Sequence, residues 1–189
     1  MALSVLLGGA RSGKSALAVR AGAAYEGPVC FIATATAGDG EMATRIARHR
    51  AERPAAWRTL EEPLELEAAI ARAEQDALVI VDCLTLWVAN QLAAGASDGH
   101  VAEHAALAAA RAAERAAPVI AVSNELGMGI VPVDPLARRF RDLHGRVNAT
   151  WVAHAAHASL LVAGAVLALA AADPGRLCDP NAPPAGQAR

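Results

Sequence analysis

Leu3-Ser4-Val5-Leu6-Leu7 followed by Gly8-Gly9-Ala10-Arg11-Ser12-Gly13-Lys14-Ser15 decides how this 189-residue chain folds. The first five residues are a short apolar run of the kind that fills a buried strand, and the stretch from Lys14 to Ala24 reads as a helix. Between them, the eight residues from Gly8 to Ser15 satisfy G-x-x-x-x-G-K-[ST], in the strand–loop–helix setting this motif requires. The glycines let backbone N–H groups converge on phosphate oxygens, and the helix N-terminus adds positive potential. Gly8, Gly9, Ala10, Arg11, Ser12, Gly13, Lys14 and Ser15 are therefore the expected phosphate cradle. Lys14 neutralises the β and γ oxygens of a nucleoside triphosphate, and the Ser15 hydroxyl ligates Mg²⁺.

The composition singles out the same place. Of the 17 basic residues 16 are arginine, and Lys14 is the one lysine. A compact ammonium is a point charge that fits a tight cradle, where a planar guanidinium would need a different loop.

Working outward, Val29 to Ala33, Leu78 to Val81, Val119 to Val122 and Leu160 to Val166 read as further strands. Helices are expected over Glu41 to Arg53, Pro63 to Glu74, Leu84 to Ala94, Val101 to Ala116 and Pro135 to His157. Strands with so few polar residues, alternating with helices, predict an α/β fold of P-loop NTPase type. Its sheet is mostly parallel, with helices on both faces. The length fits one domain over residues 1–172, followed by a Pro- and Ala-rich tail over 173–189 that reads as irregular.

The balance of 17 basic against 19 acidic residues, with no segregated basic block, argues against nucleic acid as a partner. Three widely spaced cysteines, Cys30, Cys83 and Cys178, make neither a disulfide framework nor a zinc site, and point to the cytoplasm. The start of the chain lacks the basic region and full apolar core of a signal peptide. Ala155 to Ala172 approaches membrane length, but it is mostly alanine and holds too few strongly apolar residues for a span.

A second magnesium ligand is expected at a strand end, where Leu78-Val79-Ile80-Val81-Asp82 supplies an aspartate. Taken alone, Asp82 would read as a cap or turn residue; behind a phosphate loop it holds the metal directly or through water. A GTPase switch would carry a base-reading N-K-x-D after a late strand, and Ser123-Asn124-Glu125-Leu126 stands there instead.

The remaining distinctive segments run in one order. They are Glu41-Met42 with Arg45-Ile46 and His49-Arg50, then Trp57-Arg58-Thr59-Leu60-Glu61 and Asp82-Cys83-Leu84-Thr85-Leu86-Trp87. Asn124-Glu125-Leu126-Gly127-Met128-Gly129-Ile130-Val131-Pro132 follows, with Arg138, Arg141, Gly145, Arg146 and Asn148 beyond it. From about Ser4 to Gly164 the chain resembles the bifunctional adenosylcobinamide kinase / adenosylcobinamide-phosphate guanylyltransferase family of cobalamin biosynthesis. It departs at Phe31, where the family usually has tyrosine, at Gly38-Asp39-Gly40, and at Ala149, where glutamine is usual. The resemblance implies phosphorylation of adenosylcobinamide by ATP or GTP with Mg²⁺. GMP then passes from GTP to adenosylcobinamide phosphate through a covalent histidine intermediate, in a homotrimer.

The position matching that histidine is His49. Read alone it is a surface histidine on a charged helix. Arg45, Arg48, Arg50 and Arg53 concentrate positive charge that would favour a neutral, nucleophilic imidazole. Arg50 and Arg53 are the candidates for holding nucleotide phosphates. Thr34, at the end of the second strand, is a further binding candidate, and Glu61 can accept from guanine N1 and N2. His100, His104, His144, His154 and His157 form no metal-binding pattern, although the last two lie one helical turn apart. Two other readings keep the loop but lack the covalent nucleotide: a P-loop kinase of another metabolite, and a regulatory nucleotide-binding protein.

Overall fold

The computed structural model describes residues 3–37, 40–51 and 53–170, and within 40–51 the side chains of 40, 44, 46, 47, 50 and 51. The elements run β1 (Leu3–Gly8), α1 (Lys14–Ala23), β2 (Val29–Ala33), α2 (Gly40–Ala51), β3 (Arg58–Glu61), α3 (Leu66–Arg72) and β4 (Leu78–Asp82). They continue as α4 (Leu84–Ala93), α5 (Asp98–Glu114), β5 (Val119–Val122), α6 (Pro135–His154), β6 (His157–Val162) and β7 (Ala165–Leu169). The strands form one sheet in the order β3-β2-β4-β5-β1-β6-β7, parallel throughout except for β7, which runs antiparallel to β6.

Successive residues of a strand face opposite sides of the sheet, and the buried runs split accordingly. Val5, Cys30, Ile32, Val79, Val81, Val119 and Ala121 face the helices α3 to α6, where Trp87 and Trp151 are fully buried. Leu6, Phe31, Ile80, Ile120 and Val122 face Ala18 of α1 and the Trp57 ring. Helices thus cover both faces as the sequence predicts, four packing against the first and α1 against the second.

Local signals account for several boundaries. Asp134 caps α6 by accepting from the Ala137 N–H at 2.8 Å, with Pro135 at the first helical position, where its missing N–H costs nothing. Ser97 caps α5 from the His100 N–H, so this helix begins three residues ahead of the expected Val101. The buried Arg115 guanidinium donates to the carbonyls of Ile70, Ala73, Glu74 and Ala77, satisfying the end of α3 and the turn beyond it.

Three expectations need correction. The single strand read over Leu160 to Val166 is two strands, with a two-residue turn at Ala163-Gly164. The helix expected over Pro63 to Glu74 spans only Leu66–Arg72, because the Glu62 carboxylate accepts from the Leu64 and Glu65 N–H groups and makes its own turn. The last long helix stops at His154 because residues 157–162 are drawn into the sheet beside β1. No helix among the described residues is long and apolar enough to cross a membrane. The expected tail over 173–189 lies outside the described residues.

Candidate active site

All the parallel strands end on one edge of the sheet, and the candidate residues gather there. β1 ends at Gly8, whose φ of 150° suits glycine; a Cβ there would collide with the Leu161 carbonyl and lie 2.8 Å from the Ser12 hydroxyl. The chain then turns through Gly9, Ala10 and Arg11, all exposed, to Gly13 in the left-handed region, which opens α1. No side chain caps that helix and no acidic residue stands in its first turn, so its N-terminal N–H groups are not neutralised from within.

The Lys14 side chain curls back into this loop. Its Nζ donates to the Gly8 carbonyl at 2.8 Å, the Gly9 carbonyl at 2.7 Å and the Ser12 hydroxyl at 3.3 Å, and the residue is buried. Burial pulls the ammonium below the usual lysine range, with Cys83 and Asp82 acting the other way. Burial also pushes the Cys83 thiol up to about 11, so at neutral pH Asp82 is the counter-charge that operates.

Beside the loop lies a cavity of about 460 Å³ whose wall includes Ser15, Asp82, Glu61, Arg50 and Arg53. Five of the residues singled out from sequence thus come from α1, β4, β3 and the end of α2 to one place. Arg50 Nη1 and Glu61 Oε1 are 3.3 Å apart, and the Arg53 guanidinium stacks 3.7 Å above the centre of the Phe31 ring. Ile46 also lines this wall. Position 49 stands three residues after Ile46 and one before Arg50, which places its backbone in the last turn of α2 beside the cavity-lining positions. The side chains of His49, Arg45 and Arg48 lie outside the described residues.

Thr34 is fully buried, and its hydroxyl is engaged with main chain: it donates to the Cys83 carbonyl at 2.7 Å and accepts from the Cys83 N–H at 2.8 Å. Ser15 and Asp82 offer hard oxygen donors beside a loop built for phosphates, a donor set suited to Mg²⁺, which binds through one or two protein oxygens and completes its shell with phosphate and water. Among the described residues no group of three or more His, Cys, Asp or Glu could cage a metal by itself.

Sequence reasoning missed the residues that hold the cavity rim. Trp87 Nε1 and Gln91 Nε2 both donate to the Leu64 carbonyl, at 2.7 and 2.9 Å, and Asn90 Nδ2 donates to the carbonyls of Thr34 and Pro63. Their i, i+3, i+4 spacing marks one face of α4. That was the available signal, but polar and aromatic residues on one face do not by themselves identify carbonyls as partners.

These features define a P-loop NTPase-like α/β protein. A type III secretion system ATPase of pathogenic bacteria shares the fold, with a TM-score of 0.56 at 15% identity over 85% of this chain and 51% of that one. The family described as cobinamide kinase / cobinamide phosphate guanyltransferase matches residues 4–169. The bifunctional adenosylcobalamin biosynthesis protein CobP of Pseudomonas aeruginosa is 47% identical over 161 residues, 85% of this chain and 92% of that protein. The corresponding CobU of Salmonella typhimurium is 41% identical over 174 residues, 85% and 95% of the two chains. The chain belongs to the cobinamide kinase / cobinamide phosphate guanyltransferase family, and so to the enzymes of cobalamin biosynthesis.

Proposed function

We propose that this enzyme carries out two successive transfers on one corrinoid side chain. In the first, the aminopropanol hydroxyl of adenosylcobinamide attacks the γ-phosphorus of ATP or GTP. The bond to the β–γ bridging oxygen breaks, and one proton is released to solvent. Lys14 and the loop N–H groups would hold the β and γ phosphates. Ser15 and Asp82 would hold Mg²⁺, which when bound offsets the charge on those phosphates.

In the second transfer the His49 imidazole attacks the α-phosphorus of GTP and pyrophosphate leaves. A phosphate oxygen of adenosylcobinamide phosphate then takes the GMP unit as the P–N bond breaks, giving adenosylcobinamide-GDP. Arg50 and Arg53 would hold the nucleotide phosphates and Glu61 the guanine edge. The enzyme would act as a cytoplasmic homotrimer. Met128, Ile130, Val131 and Val133, exposed on one loop, offer the apolar surface that subunit contact would cover.

One observation carries the reading. Ser15, next in the chain to the buried Lys14 cradle, and Asp82 line the same cavity as Arg50 and Glu61, beside the last turn of α2. Incubation with adenosylcobinamide and γ-labelled ATP or GTP should transfer label to the corrinoid, and α-labelled GTP should then add GMP. A protein that hydrolyses nucleotide but labels no corrinoid would contradict it.

A further inference from the structure

Behind the phosphate loop lies a closed set of buried polar groups that the two transfers above leave without a role. Thr85 stands in the first turn of α4, Ser123 directly after β5, and His144 and Asn148 one turn apart on α6; each is less than 8% exposed. His144 Nε2 lies 3.1 Å from both the Thr85 and the Ser123 hydroxyl oxygens. Ser123 donates its hydroxyl hydrogen to Asn148 Oδ1 at 2.7 Å. With that hydrogen committed, the Ser123 oxygen can only accept from the imidazole. Nε2 therefore carries the hydrogen and is the donor that joins them.

The network converges on Asn124. Its N–H donates to Thr85 Oγ1 at 2.9 Å, and its carbonyl accepts from Asn148 Nδ2 at 2.9 Å. On either side the chain is tied to β1, Ser123 N–H to the Leu6 carbonyl and Glu125 N–H to the Gly8 carbonyl. Because β5 lies between β4 and β1, this fixes Asn124 between the strand that ends in Asp82 and the strand that ends in the phosphate loop. Its own side chain is half-buried and makes no hydrogen bond among the described residues.

We propose that Asn124 is a further catalytic residue, donating its amide to the γ-phosphoryl group in transit, and that His144 is the positioning residue that holds it there through Thr85 and Ser123. The inference rests on the kinase reading above. The amide forms no covalent bond; it stabilises charge on the phosphoryl oxygens as the acceptor hydroxyl replaces the nucleoside diphosphate and the hydroxyl proton passes to solvent.

The test measures corrinoid phosphorylation by the full chain, together with the Kd of a non-hydrolysable GTP analogue. Asn124→Ala should lower kcat about a hundredfold and leave Kd within about threefold. His144→Ala should lower kcat about tenfold, and His144→Gln, whose amide N–H can serve the same two hydroxyls, should recover most of that. In Asn124→Ala the second change His144→Ala should cost nothing further, because the imidazole acts through that amide. Asn124 joins the network through its main chain alone, so Asn124→Ala keeps those bonds even if truncation at His144 prevents folding. Wild-type kcat in Asn124→Ala, or losses that multiply in the double variant, would overturn the proposal and leave the kinase reading standing. Absence of phosphorylation by the wild type would overturn both.

Discussion

Thr34 and Cys83 exchange two hydrogen bonds through one hydroxyl, which donates to the Cys83 carbonyl at 2.7 Å and accepts from its N–H at 2.8 Å. The Thr34 N–H also donates to the Asp82 carbonyl at 3.2 Å. The end of β2 thereby fixes the peptide that follows the proposed magnesium ligand. Thr34→Val keeps the shape and removes the hydroxyl, leaving the Cys83 N–H unpaired and its carbonyl with the Trp87 N–H alone. It should cost about 2–3 kcal/mol in a denaturant titration and raise the Mg²⁺ concentration needed for half-maximal turnover. Thr34→Ser should restore both, and a Thr34→Val protein with wild-type magnesium dependence would show that the clamp does not act on Asp82.

Lys14 is buried and held by two carbonyls and a hydroxyl, a set of acceptors that surrounds a point charge. A planar guanidinium cannot take that place without displacing the loop. Lys14→Arg and Lys14→Ala should each lower kcat/KM for nucleotide about a hundredfold or more. Steady-state kinetics of both transfers measure this, and wild-type values for Lys14→Arg would contradict it.

The phosphate loop and its flanking elements were legible because eight consecutive residues carry the motif and the apolar run before it has one reading. The cavity wall was partly legible. Asp82, Arg50, Arg53 and Glu61 could be selected by chemistry, but that they meet depends on β3 and β4 flanking β2, a pairing no local pattern announces. The β6–β7 hairpin was hidden because its turn is Ala163-Gly164, at φ 51° and 84°. Such turns usually advertise themselves with Asn or Asp at the first position, and alanine gives no such signal. His144 read only as a histidine outside any metal-binding pattern, because Thr85 and Ser123 lie 59 and 21 residues away in sequence.

Arg115 supplies a stability test remote from the cavity. It is 5% exposed and its donors serve four carbonyls at the end of α3 and in the turn beyond. Arg115→Met fills part of the space but satisfies none of them, and should cost about 3 kcal/mol. For a chain of this size that lowers Tm by roughly 6–12 °C. Calorimetry would measure it, while the folded variant at 25 °C keeps its turnover.

Burial lowers His144 from 6.5 to about 4, with the Glu125 carboxylate opposing. The folded chain therefore keeps the imidazole neutral where the unfolded chain protonates it. The stability this represents is fully present above pH 6.5 and is lost as pH falls towards about 4, roughly 3 kcal/mol in all. Urea midpoints at pH 7.5, 6 and 5 should fall more steeply for the wild type than for His144→Gln. Parallel slopes would contradict the assignment of a buried neutral imidazole.

The proposed covalent GMP intermediate on His49 is tested most directly by incubating the enzyme with α-labelled GTP and mapping the label by peptide mass spectrometry. A neutral imidazole as nucleophile predicts acid-labile, base-stable label on the peptide containing His49. It also predicts none on His49→Ala, which should still phosphorylate adenosylcobinamide because γ-phosphoryl transfer needs no enzyme nucleophile. Label retained by His49→Ala, or mapped to another residue, would contradict the account.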